Sequence, residues 1–213
     1  LDLYRDGRCW TSLQADVGLR ERPDTSEERA ALENVQKLLE VDDPVRLQAW
    51  TRFASGHAPS TELERRLARF KHVESVVVFQ SGFTANAGTV SSVLTKDDVV
   101  VSDELNHASI IDGCRLSRAT IKVFPHKDID AARRLLESLP SSQRRLLITD
   151  GVFSMDGDLG PLPALCDLAE EIGCIMMVDD AHASGVFGRN GRGTIDHYGV
   201  HGRVDIQVGT LSK

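Results

Sequence analysis

The stretch Ile175-Met-Met-Val-Asp-Asp-Ala-His182 decides the fold of this chain. Its first four residues are apolar without interruption, and two carboxylates follow them directly. A strand with one face in water alternates apolar and polar residues, whereas an unbroken apolar run is typical of a strand covered on both faces. The stretch therefore predicts a buried strand of an α/β sheet, with Asp179 at its carboxyl end.

Similar apolar runs recur along the chain and alternate with helical patterns. Strands are predicted at 76–79, 99–102, 120–124, 145–150 and 204–210, and helices at 61–72, 82–94, 107–117, 129–139 and 161–172. The last of these helices has Pro161 in its first turn and Gly173 after its end, which is the usual asymmetry. This alternation predicts a mostly parallel sheet covered by helices on both faces.

Residues 1–55 do not follow the alternation, and they are predicted to form an N-terminal arm or extension. Within them a helix is predicted at 25–41, because Thr25 and Glu28 fit a capping box at its start. The strand and helix pattern begins after this segment. Residues 56–213 are therefore predicted to form the sheet domain.

Composition and charge argue against several function classes. The 213 residues include 25 Lys and Arg against 32 Asp and Glu, a formal net charge of −7, which gives no support to a nucleic-acid or membrane partner. The longest apolar runs are far shorter than the roughly 20 residues that span a bilayer, and no secretory leader pattern is seen. The four cysteines lack CxxC spacing, so no metal site is predicted and a cytoplasmic protein is expected.

Polar residues gather directly after the predicted strands, where ligands of parallel α/β sheets bind. Three such segments are 81–84, which opens a helix, 102–109 and 149–157. A serine–glycine turn at a helix N-terminus suits a phosphate, although such a turn is more often a plain cap. The segment 149–157 lacks the G-x-S-x-G pattern, so Ser154 is not predicted to be a hydrolase nucleophile.

Two further elements could carry chemistry. Asp179 and His182 place an acid and an imidazole after a buried strand, where a carboxylate is costly unless a cation or donor faces it. A helix cap or a metal site is the alternative interpretation. Lys213 follows the last predicted strand and could form an imine with a carbonyl group, the alternative being a solvated lysine. The glycines of 185–193 indicate a turn-rich excursion rather than a dinucleotide site.

Five stretches together resemble one family. They are 80–88, 102–113, 149–157, 178–182 with the glycines that follow, and 209–213. In their order and spacing they resemble the α-oxoamine synthases, pyridoxal-phosphate (PLP) enzymes of aminotransferase fold type I. The resemblance implies PLP as the cofactor and residues 56–213 as the N-terminal part of the PLP-binding large domain. It also implies that the chain ends at the cofactor lysine, with the C-terminal small domain absent.

The resemblance also assigns roles to individual residues. Lys213 would bond to the cofactor and then transfer protons, Asp179 would pair with the pyridine nitrogen, and His182 would bind the phenolic oxygen. His107 would stack on the ring, which completes the catalytic set. The implied cofactor-binding set is Ser81, Gly82, Phe83, His107, Ser154, Asp179, His182, Thr210 and Lys213. No metal ligand is implied.

The family's chemistry joins an amino acid to an acyl-CoA and releases CoA. Segment 103–113 looks most like the glycine C-acetyltransferase branch (2-amino-3-ketobutyrate CoA ligase), which favours glycine and a short acyl-CoA in amino-acid metabolism. One alternative is a decarboxylating activity like that of 8-amino-7-oxononanoate synthase, in biotin biosynthesis. Others are an aminotransferase or aldolase of the same fold type, or a truncated non-catalytic partner. The resemblance implies a homodimer.

Overall fold

The computed structural model describes residues 10–14, 62–211 and 213. Within this part the strands are β1 Trp10–Gln14, β2 Ser75–Phe79, β3 Val99–Asp103, β4 Thr120–Phe124, β5 Arg145–Asp150, β6 Ile175–Asp179 and β7 Ile206–Thr210. The α-helices are α1 Glu62–Lys71, α2 Gly82–Val93, α3 Ala108–Ser117, α4 Ile129–Glu137, α5 Leu162–Ile172 and α6 Thr194–Tyr198. None of these helices is long and apolar enough to cross a membrane.

The seven strands form one sheet in the order β2-β1-β7-β6-β5-β3-β4, and every neighbouring pair is parallel. This confirms the predicted mostly parallel α/β sheet. Because the strands are parallel, all their carboxyl ends lie along one edge, where ligands of such sheets bind. At this edge Asp150 of β5 and Asp179 of β6 are direct partners in the register.

Helices cover both faces of the sheet. Successive residues of a strand point to opposite sides, so each central strand contributes side chains to two apolar cores. On β5, Leu146 and Ile148 belong to the apolar core that α2 and α3 share, and Leu147 belongs to the core that α4 and α5 share. All three side chains are fully buried. The two cores explain why the strands are apolar without interruption rather than alternating.

Two short elements depart from the sequence-based expectations. Helix α6 lies just after the segment predicted as a turn-rich excursion, and its five residues are too few to show a helical period. Strand β1 lies inside the predicted N-terminal arm and pairs with β2 and β7. The rest of that arm, including the helix predicted at 25–41, lies outside the described residues, so its boundary at residue 55 stays a prediction.

A buried ionic cluster joins α1 to the loop that follows β6. Lys71 donates from Nζ to Ser184 Oγ at 2.8 Å and to the Arg192 carbonyl at 2.7 Å, and its Nζ lies 3.8 Å from Asp180 Oδ2. The Asp180 carboxylate also accepts the backbone N–H and the hydroxyl of Thr194. Burial lowers the pKa of Lys71 and raises that of Asp180, while the attraction between the two charges opposes both shifts.

Gly193 lets the chain close over this buried carboxylate. Its φ is +104°, and a Cβ at this position would overlap Asp180 Oδ2. A positive φ and so close an approach both favour glycine. At least one of the glycines in 185–193 therefore serves the packing around Asp180.

Candidate active site

The carboxyl edge of the sheet holds a cavity of about 250 Å³. Its lining includes most of the residues singled out in the sequence: Ser81, Gly82, Phe83, His107, Asp179, His182, Thr210 and Lys213. The lining also includes four residues that lie within the quoted stretches but were given no role there: Asn86, Ser109, Asp150 and Ala181. The fold thus collects at one cavity side chains that are far apart along the chain.

The N-terminus of α2 forms one wall of the cavity. Ser81 caps this helix, because its Oγ accepts the N–H of Thr84 at 3.1 Å while Thr84 Oγ1 accepts the N–H of Ser81 at 3.0 Å. Gly82 and Phe83 form the first turn beside the cap and line the cavity. A helix N-terminus carries partial positive charge, so this wall suits an anionic group such as a phosphate.

Asp179 supplies a buried carboxylate at the end of β6. Its Oδ1 accepts the N–H of Ala181 at 2.9 Å, and its Oδ2 accepts Nδ2 of Asn86 at 2.6 Å. The residue is 4% exposed and lines the cavity. A donor on each oxygen holds the carboxylate in one orientation. Such a fixed carboxylate is suited to face a positively charged group of a ligand.

Lys213 and His182 lie together at the same cavity. Lys213 Nζ donates to Nε2 of His182 at 2.9 Å. Burial and then the nearby charge of Lys213 lower the pKa of His182. The imidazole is therefore neutral near pH 7, which leaves its Nε2 able to accept the bond from the amine.

His107 forms the N-cap of α3. Its backbone N–H donates to Asp150 Oδ2 at 2.9 Å, which ties it to the end of β5. Its Nδ1 lies 2.7 Å from Ser109 Oγ and accepts the N–H of Ser109 at 3.2 Å. The imidazole, although exposed, is thus held by the start of its own helix.

Ser154 is the one predicted cofactor-binding residue that does not line the cavity formed by the described residues. It is exposed in a tight turn, in which the N–H of Gly157 donates to the Phe153 carbonyl at 2.8 Å and Val152 bridges to Leu159. In this turn Ser154 faces solvent and not the cavity. A contact between Ser154 and the cofactor stays a prediction.

Burial and the charge of Asp179 raise the pKa of Asp150 to about 8. Asp150 is 5% exposed and lines the cavity. The folded protein therefore keeps on Asp150 a proton that the unfolded chain loses above about pH 4. The protonated Asp150 therefore contributes to the free energy of unfolding at low pH, and this contribution should be lost as the pH rises from 4 through 8.

Asp150→Asn is expected to remove this pH-dependent contribution to stability, because the amide does not titrate. Without cofactor, the melting temperature of the variant minus that of the wild type should increase as the pH rises from 5 to 8. Asp156→Asn, in the exposed turn, is the matched control and should leave the pH profile of the wild type unchanged. Parallel profiles for Asp150→Asn and the wild type would contradict the prediction.

Comparison with known proteins agrees with this geometry. Residues 24–213 match the family model described as aminotransferase class I and II. The chain is 60% identical over 152 residues to 8-amino-7-oxononanoate synthase 1 of Bacillus velezensis and 60% identical over 153 residues to the 8-amino-7-oxononanoate synthase of Symbiobacterium thermophilum. Each alignment covers 71% of this chain and 39% of the relative, so the chain matches about two fifths of the relatives' length.

The fold is also similar to that of a solved serine palmitoyltransferase from S. paucimobilis, a structure that contains bound PLP and myriocin. The TM-score is 0.68 at 30% sequence identity, and the match covers 89% of this chain and 46% of the other. The family match, these relatives and the motifs at the cavity all agree. The chain belongs to the class I and II aminotransferase family, within its α-oxoamine synthase branch.

Proposed function

We propose that the protein joins an amino acid to an acyl-CoA as a PLP-dependent α-oxoamine synthase. One observation carries the proposal: the amine of Lys213, the buried carboxylate of Asp179 and the N-terminus of α2 line the same cavity. PLP, the cofactor of this branch, has an aldehyde, a basic ring nitrogen and a phosphate. The three protein groups match these three functions one by one.

The remaining lining residues fit the cofactor as well. The turn at 81–83 would hold the phosphate with its backbone N–H groups, and Thr210 would add a hydroxyl. His182, neutral near pH 7, would meet the phenolic oxygen, and His107 would lie against the ring. Asp179 would hold the ring nitrogen in its protonated form, because a buried carboxylate that two donors keep in one orientation stabilises a positive charge placed against it.

When bound, PLP supplies an electron sink for negative charge at the α-carbon of the amino acid. Lys213 would take the proton from that carbon and could return a proton to it, since its amine lies in the cavity beside a neutral imidazole. The α-carbon forms a bond to the acyl carbon of the thioester, and the carbon–sulfur bond breaks. CoA then leaves as the thiol, and in decarboxylating enzymes the carboxylate leaves as CO₂.

The relatives favour the decarboxylating form of this reaction. In 8-amino-7-oxononanoate the amine on carbon 8 lies next to the ketone at carbon 7, which is the arrangement that the reaction produces. Carbons 8 and 9 would then come from an amino acid with a methyl side chain, after loss of its carboxylate. Carbons 1–7 would come from a seven-carbon dicarboxylic acyl group. We therefore place alanine and such a thioester ahead of glycine and a short acyl-CoA.

A second cavity of about 220 Å³ adjoins the first and shares Thr210 and Lys213 with it. Its other lining residues include the apolar Leu67, Phe70 and Leu211. An apolar wall beside the reacting amine suits the methylene chain of an acyl group. We assign this second cavity to the acyl part of the thioester.

We also propose that two copies of the protein associate. Phe83 at the first cavity and Leu211 at the second are 50% and 53% exposed. Apolar side chains beside a reaction site would lose contact with water if a second copy covered them. A homodimer with its sites near the subunit contact would have this effect.

The assay that tests the proposal measures thiol release and product mass with the whole protein. Alanine with a seven-carbon dicarboxylic acyl-CoA should release CoA and yield an amino ketone, whereas Lys213→Ala should release none. Borohydride reduction of the holoenzyme should leave the cofactor on the peptide that contains Lys213. Absence of that adduct in the wild type would rule out the assignment of Lys213.

Other amino acids and acyl-CoAs in the same assay separate the alternatives. A faster reaction with glycine and acetyl-CoA would favour the glycine C-acetyltransferase type instead. Transfer of the amino group to a keto acid without acyl-CoA would indicate an aminotransferase. Neither result is expected.

A further inference from the structure

The side-chain amide of Asn86 links two groups of the candidate active site. Asn86 lies in α2 and is 1% exposed. Its Nδ2 donates to Asp179 Oδ2 at 2.6 Å and to Ser109 Oγ at 2.9 Å, so both amide hydrogens are used. The reversed amide would place Oδ1 against the carboxylate, acceptor against acceptor, and this fixes the orientation.

Ser109 transmits this orientation to His107. Its Oγ accepts a hydrogen bond from Asn86, so its own hydroxyl hydrogen can point to Nδ1 of His107, which lies 2.7 Å away. The backbone N–H of Ser109 donates to the same Nδ1 at 3.2 Å. Two donors therefore converge on Nδ1, which must carry a lone pair, and the ring hydrogen lies on Nε2.

A close crossing of α2 and α3 makes this chain of hydrogen bonds possible. Gly113 lies one turn after Ser109, and a Cβ there would be 3.0 Å from the carbonyl oxygen of Asn86. Without a side chain at this point, the two helices approach closely enough for Ser109 to reach the amide. The contact is thus part of how the helices pack.

We propose that Asn86 is a positioning residue that sets two groups at once: it orients the Asp179 carboxylate, and through Ser109 it holds His107 as the neutral Nε2–H tautomer. This rests on the proposed function, in which both groups face PLP. Oδ1 of Asn86 is buried and has no hydrogen-bond partner among the described residues. A buried acceptor without a partner costs free energy, and an apolar side chain of similar size would fill the same space without that cost. The amide is therefore explained by its two donor contacts and not by packing alone.

Nitrogen-15 NMR of the imidazole, in the cofactor-free and the PLP-loaded whole protein, tests the inference. In the wild type, Nδ1 of His107 should show the shift of an unprotonated nitrogen and Nε2 that of a protonated one. Ser109→Ala removes the hydroxyl donor, and Asn86→Leu removes the amide donors at similar volume. Both should show mixed tautomers at His107, while His126, which lies outside the cavity, should keep its spectrum.

The two variants also separate the two effects of Asn86. PLP should bind about tenfold more weakly to Asn86→Leu, because one charge-assisted hydrogen bond to Asp179 is lost, and Ser109→Ala should bind it more nearly as the wild type does. A protonated Nδ1 in the wild type, or unchanged tautomers in Ser109→Ala, would overturn the inference. The cofactor-free spectra decide this even if the protein binds no PLP, and Ser109→Ala decides it even if Asn86→Leu does not fold.

Discussion

Under the proposed function, Asp179→Asn is expected to lower kcat/KM of the whole protein by about 10²–10³, the range for loss of one preorganised electrostatic group. The amide keeps the shape of the side chain but cannot balance a positive charge on the ring nitrogen of PLP. That nitrogen would then lose its proton, and negative charge at the α-carbon of the substrate would be less well stabilised. The expected readouts are steady-state thiol release and a changed absorption spectrum of the bound cofactor.

The next residue provides the matched control. Asp180 carries the same side chain, but its carboxylate faces Lys71 and Thr194 rather than the cavity. Asp180→Asn, assayed well below its melting temperature, should keep kcat/KM close to that of the wild type. Equal losses in the two variants would contradict the division between a catalytic and a structural carboxylate.

Lys71→Met is expected to lower the free energy of unfolding by about 3–5 kcal/mol, which is typical when one partner of a buried ion pair is removed. Lys71 is 2% exposed, and Asp180 is fully buried. Without the ammonium group, the Asp180 carboxylate keeps only its neutral donors, among them Nε2 of Gln207 at 2.9 Å. Chemical denaturation followed by circular dichroism measures the effect.

Two comparisons check the cause of that loss. The double variant Lys71→Met/Asp180→Asn should be less destabilised than the sum of the single variants, because the unpaired charge is gone. Arg133→Met breaks an exposed pair with Glu171, whose atoms lie 2.7 Å apart, and should hardly change stability. Additive effects at 71 and 180 would show that the two residues act separately.

Much of the sheet and the outline of the cavity follow from the sequence, for a physical reason. Parallel strands put their carboxyl ends at one edge, so polar residues placed just after apolar runs must come together there. Asp179, His182 and Lys213 were singled out in this way, whereas the role of His107 came from the family resemblance of the motifs. The pairing of neighbouring strands adds further contacts, since β5 and β6 place Asp150 beside Asp179.

Asn86, Ser109 and Asp150 lie inside the quoted stretches, but their roles escaped prediction because those roles depend on contacts that no local pattern encodes. Asn86 and Ser109 are ordinary helix residues until α2 and α3 cross at Gly113, and only then do their side chains meet. Asp150 lay within a polar segment that was noticed, but its raised pKa depends on burial and on the facing Asp179. The place of Asn86 inside the stretch 80–88, which contributed to the family resemblance, is a signal that could have drawn attention to it.

The place of β7 in the sheet has a consequence for folding. β7 pairs with β6 and β1, and the N–H of Asp180 donates to the carbonyl of Val208 at 2.7 Å. In a partly folded state without β7, the apolar strand β6 has an unpaired edge, and open edges of apolar strands invite pairing with other chains. Docking of β7 therefore closes an edge that is prone to aggregation, and it also fixes the backbone that carries the two carboxylates at the end of β6.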